Sequence, residues 1–276
     1  MNIKEFVKRH SLLTFFILAF AISWGGVLIL VGPGGISGTP EQFEMLFYIV
    51  LLAMLAGPPV AGLLLTGLIY GKAGLREFLS RLIRWRMGAR WYVVALLTSP
   101  FLAMATLFAL LPTSPVFLPG IFTTDDKTTF LLIGIAVGLA AGFFEELGWT
   151  GFAVPEMRLR YGLLTTGLIM GFLWGAWHLL MPVERFQVAI FFYVGVLPAY
   201  RVLMVWVYDR TGSLLVAMLM HASLTASVAM IFMPQAIPSV PLITWYLVLT
   251  AALWIIVAAV AVTNGGQRLE RASRLA

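Results

Sequence analysis

TFLLIGIAVGLAAGFFEELGWTGFA, residues 129–153, is apolar throughout except for Glu145 and Glu146. A helix needs about 20 such residues to cross the hydrocarbon core of a bilayer. Inside lipid, every backbone N–H and C=O must be paired within the segment, which an α-helix does. A barrel strand would alternate apolar and polar residues, and this run does not. The stretch therefore decides the fold class. Its two adjacent carboxylates pose the functional question.

The same pattern recurs along the chain. Of 276 residues, 61% are hydrophobic and 11% charged, and the mean hydropathy is +0.97. A soluble domain has about 45–50% apolar and about 25% charged residues. Eight apolar runs are read as spans: 12–31, 45–70, 91–111, 129–153, 162–181, 188–208, 214–233 and 242–262. The second is interrupted by Gly57-Pro58-Pro59, which predicts a kink. The expected architecture is an all-α polytopic membrane helix bundle forming one domain over 1–276, without internal repeats. The absence of cysteine excludes disulfides, thiolate catalysis and cysteine-held metal.

The formal charge of +6 belongs to loops. Lys4, Lys8 and Arg9 precede the first run. Lys72, Arg76, Arg81, Arg84, Arg86 and Arg90 follow the second. Arg158 and Arg160, then Arg210, and finally Arg268, Arg271 and Arg274 fall at alternate connections, whereas the opposite loops hold only Lys127 and Arg185. Lysine and arginine enrich cytoplasmic loops. This places both termini in the cytoplasm of a multi-pass cell-membrane protein, and membrane lipid rather than nucleic acid accounts for the basic balance. Segment 71–90 carries Leu75, Phe78, Leu79, Leu82 and Ile83 at helical spacing among its arginines, so it is read as an amphipathic interfacial helix. KEFVKRH and the following apolar run resemble a signal peptide. The run continues through Trp24 to Val31, which favours a retained anchor.

An ionisable side chain within a membrane helix is costly without a partner and marks function by default. Five pass that filter: Glu145, Glu146, His178, Arg201 and His221. The third histidine, His10, lies in the basic N-terminal segment. Neighbours on a helix point about 100° apart, so Glu145 and Glu146 face different surroundings and serve different purposes. Burial disfavours the charged form of a carboxylate and makes it a better base near neutral pH. One carboxylate and two imidazoles are enough to deprotonate a water and to stabilise the oxyanion it creates at a peptide carbonyl. The same side chains are also zinc ligands, although no H-E-x-x-H helix is present. Proton-coupled transport uses the same residue types. On buried charge alone, enzyme and transporter stand level.

Three local sequences separate them. EELGWTGF (145–152), LWGAWHLL (173–180) and DRTGSLLVAMLMHASLTAS (209–227) resemble the three motifs of the CAAX prenyl protease and bacteriocin-processing family, CPBP or Abi. Those motifs are Glu-Glu-x-x-x-Arg, an aromatic residue four before a histidine, and His-x-x-x-Asn, on consecutive helices. The resemblance covers residues 130–230 and implies an intramembrane endopeptidase, with a catalytic core there. By that resemblance, Glu145 is the base that activates water and His178 helps to hold the water. His221 stabilises the oxyanion, Glu146 supports, and Trp174 fills the aromatic position. The implied substrate is a peptide or protein. No cofactor is required, with a divalent metal such as zinc as the alternative.

Two positions depart from the motifs. Thr150 stands where the family has arginine, and Thr225 where it has asparagine. Glu146 thus lacks the counter-ion expected at i+4, and a threonine hydroxyl has shorter reach and one donor instead of two. We expect Arg201, itself a buried charge in need of a partner, to take the place of that arginine. The departures also leave room for a catalytically inactive relative acting as a binding or scaffold protein. At about 1.5 Å per residue, Glu145 and His221 lie roughly 12–15 Å from the cytoplasmic side and His178 roughly 24 Å from it. Tilt or a shorter fifth helix must close that difference.

Overall fold

The computed structural model describes residues 3–32, 40–181, 186–234 and 237–275. Arg185 lies outside them. Among the described residues eight helices are long and apolar enough to cross a membrane: α1 (Ser11–Val31), α2 (Ile49–Leu82), α3 (Ala89–Thr113), α4 (Lys127–Arg158), α5 (Leu163–Leu180), α6 (Gln187–Thr211), α7 (Leu214–Ile231) and α8 (Ser239–Thr263). No strand occurs among the described residues. In the most apolar stretches of α7 and α6, 72% and 67% of residues are buried, against 22% in α1 and 28% in α8. The bundle is thus built around α6 and α7, with α1 and α8 at its margin.

Two seams of small residues set the centre. Gly134, Gly138 and Gly142 recur every fourth residue on one face of α4, and that face lies on α7. A Cβ at Gly138 would meet the Ala222 carbonyl oxygen at 2.5 Å, and one at Gly142 the Met218 carbonyl oxygen at 2.4 Å. Gly167, Gly171 and Gly175 do the same for α5 against α6, where Cβ atoms would lie 2.4–2.6 Å from Val202 Cα, Pro198 Cα and the Tyr193 carbonyl oxygen. Lipid offers no hydrophobic drive for helix association, so close backbone approach through small residues supplies the packing.

Helix continues through Gly57, Pro58 and Pro59 of the second span, and the residue with non-helical dihedrals is Gly71 (φ 62°, ψ −155°). Gly57 is small because α1 crosses there, within 2.2 Å of any added Cβ, and Pro58 packs on Gly148 of α4. Segment 71–90 is not one helix. Helical structure ends at Leu82, residues 84–88 are irregular, and α3 begins at Ala89. The Arg84 carbonyl accepts from Ser213 Oγ at 2.6 Å instead of serving a further helical turn. Phe78 is fully buried and Leu82 packs beside it, whereas Leu79 and Ile83 are 55% and 71% exposed, so the segment turns one aromatic ring inward and part of its aliphatic face outward.

Candidate active site

Glu145 and Glu146 lie near the end of the α-helical part of α4, which gives way at Trp149–Ala153 to a π-helical turn. His221 lies on α7 one turn before a second π-helical stretch, Thr225–Ile231. A third, Phe192–Val196, carries Tyr193 against His178. π-Turns gather at functional sites because the extra residue re-aims side chains without ending the helix.

The carboxylates point into different surroundings. Glu146 is fully buried and fully engaged. Its Oε2 accepts from Arg201 Nη1 at 2.8 Å and from the Thr150 hydroxyl, and its Oε1 is 2.7 Å from His221 Nδ1. Arg201 is also fully buried, and its guanidinium lies 4.0 Å over the Trp174 ring. Thr150 thus keeps the i, i+4 contact as a hydrogen bond, while the cation reaches Glu146 from α6. Among the described residues Glu145 holds a single hydrogen bond, from Trp174 Nε1 to its Oε2 at 2.6 Å. Its Oε1 faces His221 Nε2 across 3.9 Å, beyond hydrogen-bond range.

Trp174 is the hub. Its indole N–H goes to Glu145, and its carbonyl is 2.8 Å from His178 Nδ1. One ring face supports Arg201, and the His221 ring meets it edge-on at 4.8 Å. A carbonyl only accepts, so His178 carries a proton on Nδ1, and in its neutral form its Nε2 is an acceptor. His178 sits on a short 3-10 turn where the regular part of α5 ends, half-buried, stacked on Tyr193 at 5.2 Å. The depth difference counted from sequence is closed by Trp174, one turn earlier on α5, which spans from His178 to Glu145.

Glu145, Glu146, Trp174, His178, Arg201 and His221 therefore form one cluster. Thr225 stands one turn beyond His221, half-buried, and no hydrogen bond joins it to the cluster among the described residues. Among these residues no group of three or more His, Asp or Glu side chains is arranged to hold a metal ion.

Sequence reasoning missed two contributors. Tyr193 carries no charge and gave no signal. Glu156 fell past the expected end of the fourth span, yet α4 continues to Arg158 and Glu156 is only 8% exposed. It accepts from Ser11 Oγ at 2.6 Å and from the Tyr70 hydroxyl, tying α1, α2 and α4 together at the end where Arg158 pairs with Asp209.

Comparison with known proteins bears on the same segment. Residues 127–227 match the family model of type II CAAX prenyl endopeptidase Rce1-like proteins. The chain is also 22% identical over 225 residues to a CAAX prenyl protease 2 from Methanococcus maripaludis, covering 75% of this chain and 80% of the relative. Every residue of the cluster lies inside the matched segment.

Proposed function

We propose that this chain is a membrane peptidase of the CPBP family, an endopeptidase in which Glu145 activates water against a peptide bond. The observation that carries the reading is the unequal treatment of two neighbouring carboxylates. Glu146 has every strong partner and is held still. Glu145 has one, and its Oε1 faces the His221 imidazole at 3.9 Å without a direct hydrogen bond.

The chemistry follows from the donors. Glu145 takes a proton from the water as its oxygen bonds to the substrate carbonyl carbon, with Nε2 of neutral His178 accepting the second water hydrogen. Glu146 receives His221 Nδ1–H, and in its imidazolium form His221 directs Nε2–H at the oxyanion. With His221 in that form, two carboxylates balance one guanidinium and one imidazolium, and the buried cluster is neutral. Glu145 then returns its proton to the leaving amine as the C–N bond breaks. No metal is required in this scheme. The substrate is a peptide or protein segment presented at the cytoplasmic face of the cell membrane, where the basic loops put the Arg158 end of the bundle.

The test is cleavage of a quenched-fluorescence peptide library by purified protein. Wild type is expected to cleave and Glu145→Ala to be silent. Equal cleavage by the two removes Glu145 as the base. A chelator is expected to leave the rate unchanged, and loss with recovery by zinc would replace the scheme with a metal-dependent one. No cleavage by wild type, with intact fold, would favour the inactive relative that Thr150 and Thr225 admit.

A further inference from the structure

The site is closed in this structure. Glu145, Glu146 and His221 are 3%, 0% and 2% exposed. A substrate backbone reaches them only if a neighbouring element moves, and one element is built to do so. Leu214, Met218 and His221 share one face of α7, at i, i+4 and i+7 from the helix start. Phe78 covers the first two and also packs on Leu147, the residue after Glu146. Its ring presses on the π-turn below the glutamates, since a Cβ at Gly151 would stand 2.5 Å from Phe78 Cε2. Phe78 thus plugs the stripe that leads from the Arg158 end of the bundle to His221.

The segment carrying Phe78 has a hinge. At φ 62° and ψ −155°, Gly71 occupies backbone space that is essentially reserved for glycine. Three residues on, a side chain at Gly74 would collide with Tyr70 Cβ at 2.2 Å, so both glycines are needed for the fold-back. Beyond the hinge, two polar contacts pin the segment: Arg81 Nη1 to the Tyr208 hydroxyl at 2.8 Å, and Ser213 Oγ to the Arg84 carbonyl at 2.6 Å. On its flank, between Tyr70, Glu77 and Arg81 on one side and Gly151, Phe152 and Glu156 on the other, lies an open crevice of about 490 Å³. Few pins, a glycine hinge and free space alongside are the physical marks of a local opening unit.

We propose that residues 72–84 form a lid over the reaction centre, hinged at Gly71, with Phe78 as its plug. This rests on the peptidase reading for its purpose but not for its mechanics. The chain contains no cysteine, so introduced thiols are unique. In an Arg81→Cys, Tyr208→Cys double variant, a reducible bis-thiosulfonate linker ties the lid to α6. The unlinked variant is expected to cleave the peptide library, the linked form to lose at least about tenfold in rate, and reductant to restore it. A linked form that cleaves at the unlinked rate overturns the lid. A second arm needs no catalysis. Met218→Cys lies beneath the plug, 5% exposed, and its alkylation by a water-soluble maleimide is expected to rise about tenfold when Phe78→Ala is added. Unchanged alkylation overturns the plug whether or not the protein is a peptidase, and accelerated alkylation without peptide cleavage in any form leaves the lid standing while removing its assigned reaction.

Discussion

Helix α4 buries carboxylates in two places and treats them differently. At the Glu145–Glu146 turn, a guanidinium, an imidazole, an indole and a hydroxyl converge on two acids. At Glu156, ten residues on, two hydroxyls from α1 and α2 satisfy one acid, with no cation within salt-bridge distance among the described residues. The first place gathers charged and polar partners around two acids, one fully paired and one with spare capacity. The second uses neutral donors because only three helix ends must be joined. A buried acid alone therefore does not mark a catalytic centre. The partners distinguish the two cases, and above all whether one acid is left with spare capacity.

That contrast sets an order of effects. Glu145→Gln removes the acid with spare capacity and is expected to lower kcat/KM by about 10²–10⁴-fold with the fold intact, the range for a lost general base. A folded variant of near wild-type rate would erase the distinction. Arg201→Ala leaves Glu146 buried without its cation and is expected to cost about 3–5 kcal/mol of stability in detergent unfolding. Adding Glu146→Gln should recover part of that loss, and a simply additive double variant would refute the pairing. Trp174→Phe keeps the ring under Arg201 but deletes the indole donor, with kcat falling about 10–100-fold and KM holding, as for loss of a hydrogen bond to a charged group. At the other place the effect is smallest. Glu156→Gln is expected to lower Tm by about 2–4 °C and to leave kcat unchanged. A catalytic defect there would make the two regions one.

Much of this was legible without coordinates. The spans follow from apolar run length, because lipid tolerates no other way of hiding a backbone. The candidate residues follow from scarcity of buried charge, but their convergence rested on the family resemblance, since counting along the helices left His178 at a different depth. Arg201 was assignable to Glu146 because each lacked a partner. Elsewhere the signals failed for physical reasons. Gly57-Pro58-Pro59 suggested a kink; its glycine answers a neighbouring helix, its prolines lie in a continuous helical run, and the non-helical residue, Gly71, carried no signal that was read. The π-turns leave no periodic trace, because one added residue costs the pattern nothing locally. Trp174 was expected as an aromatic filler. Its work as donor, acceptor and platform depends on orientation, which residue identity does not encode.

The glycine seam between α4 and α7 has a further consequence. Where main chain touches main chain, as at Gly142 against Met218, no flexible side chain lies between the helices to absorb an error. The height of His221 relative to Glu145 is then a property of two backbones in fixed register. Bilayers of different thickness can tilt the whole bundle without altering that alignment, whereas a single methyl group added at Gly142 shifts it, and does so without contacting any atom that reacts.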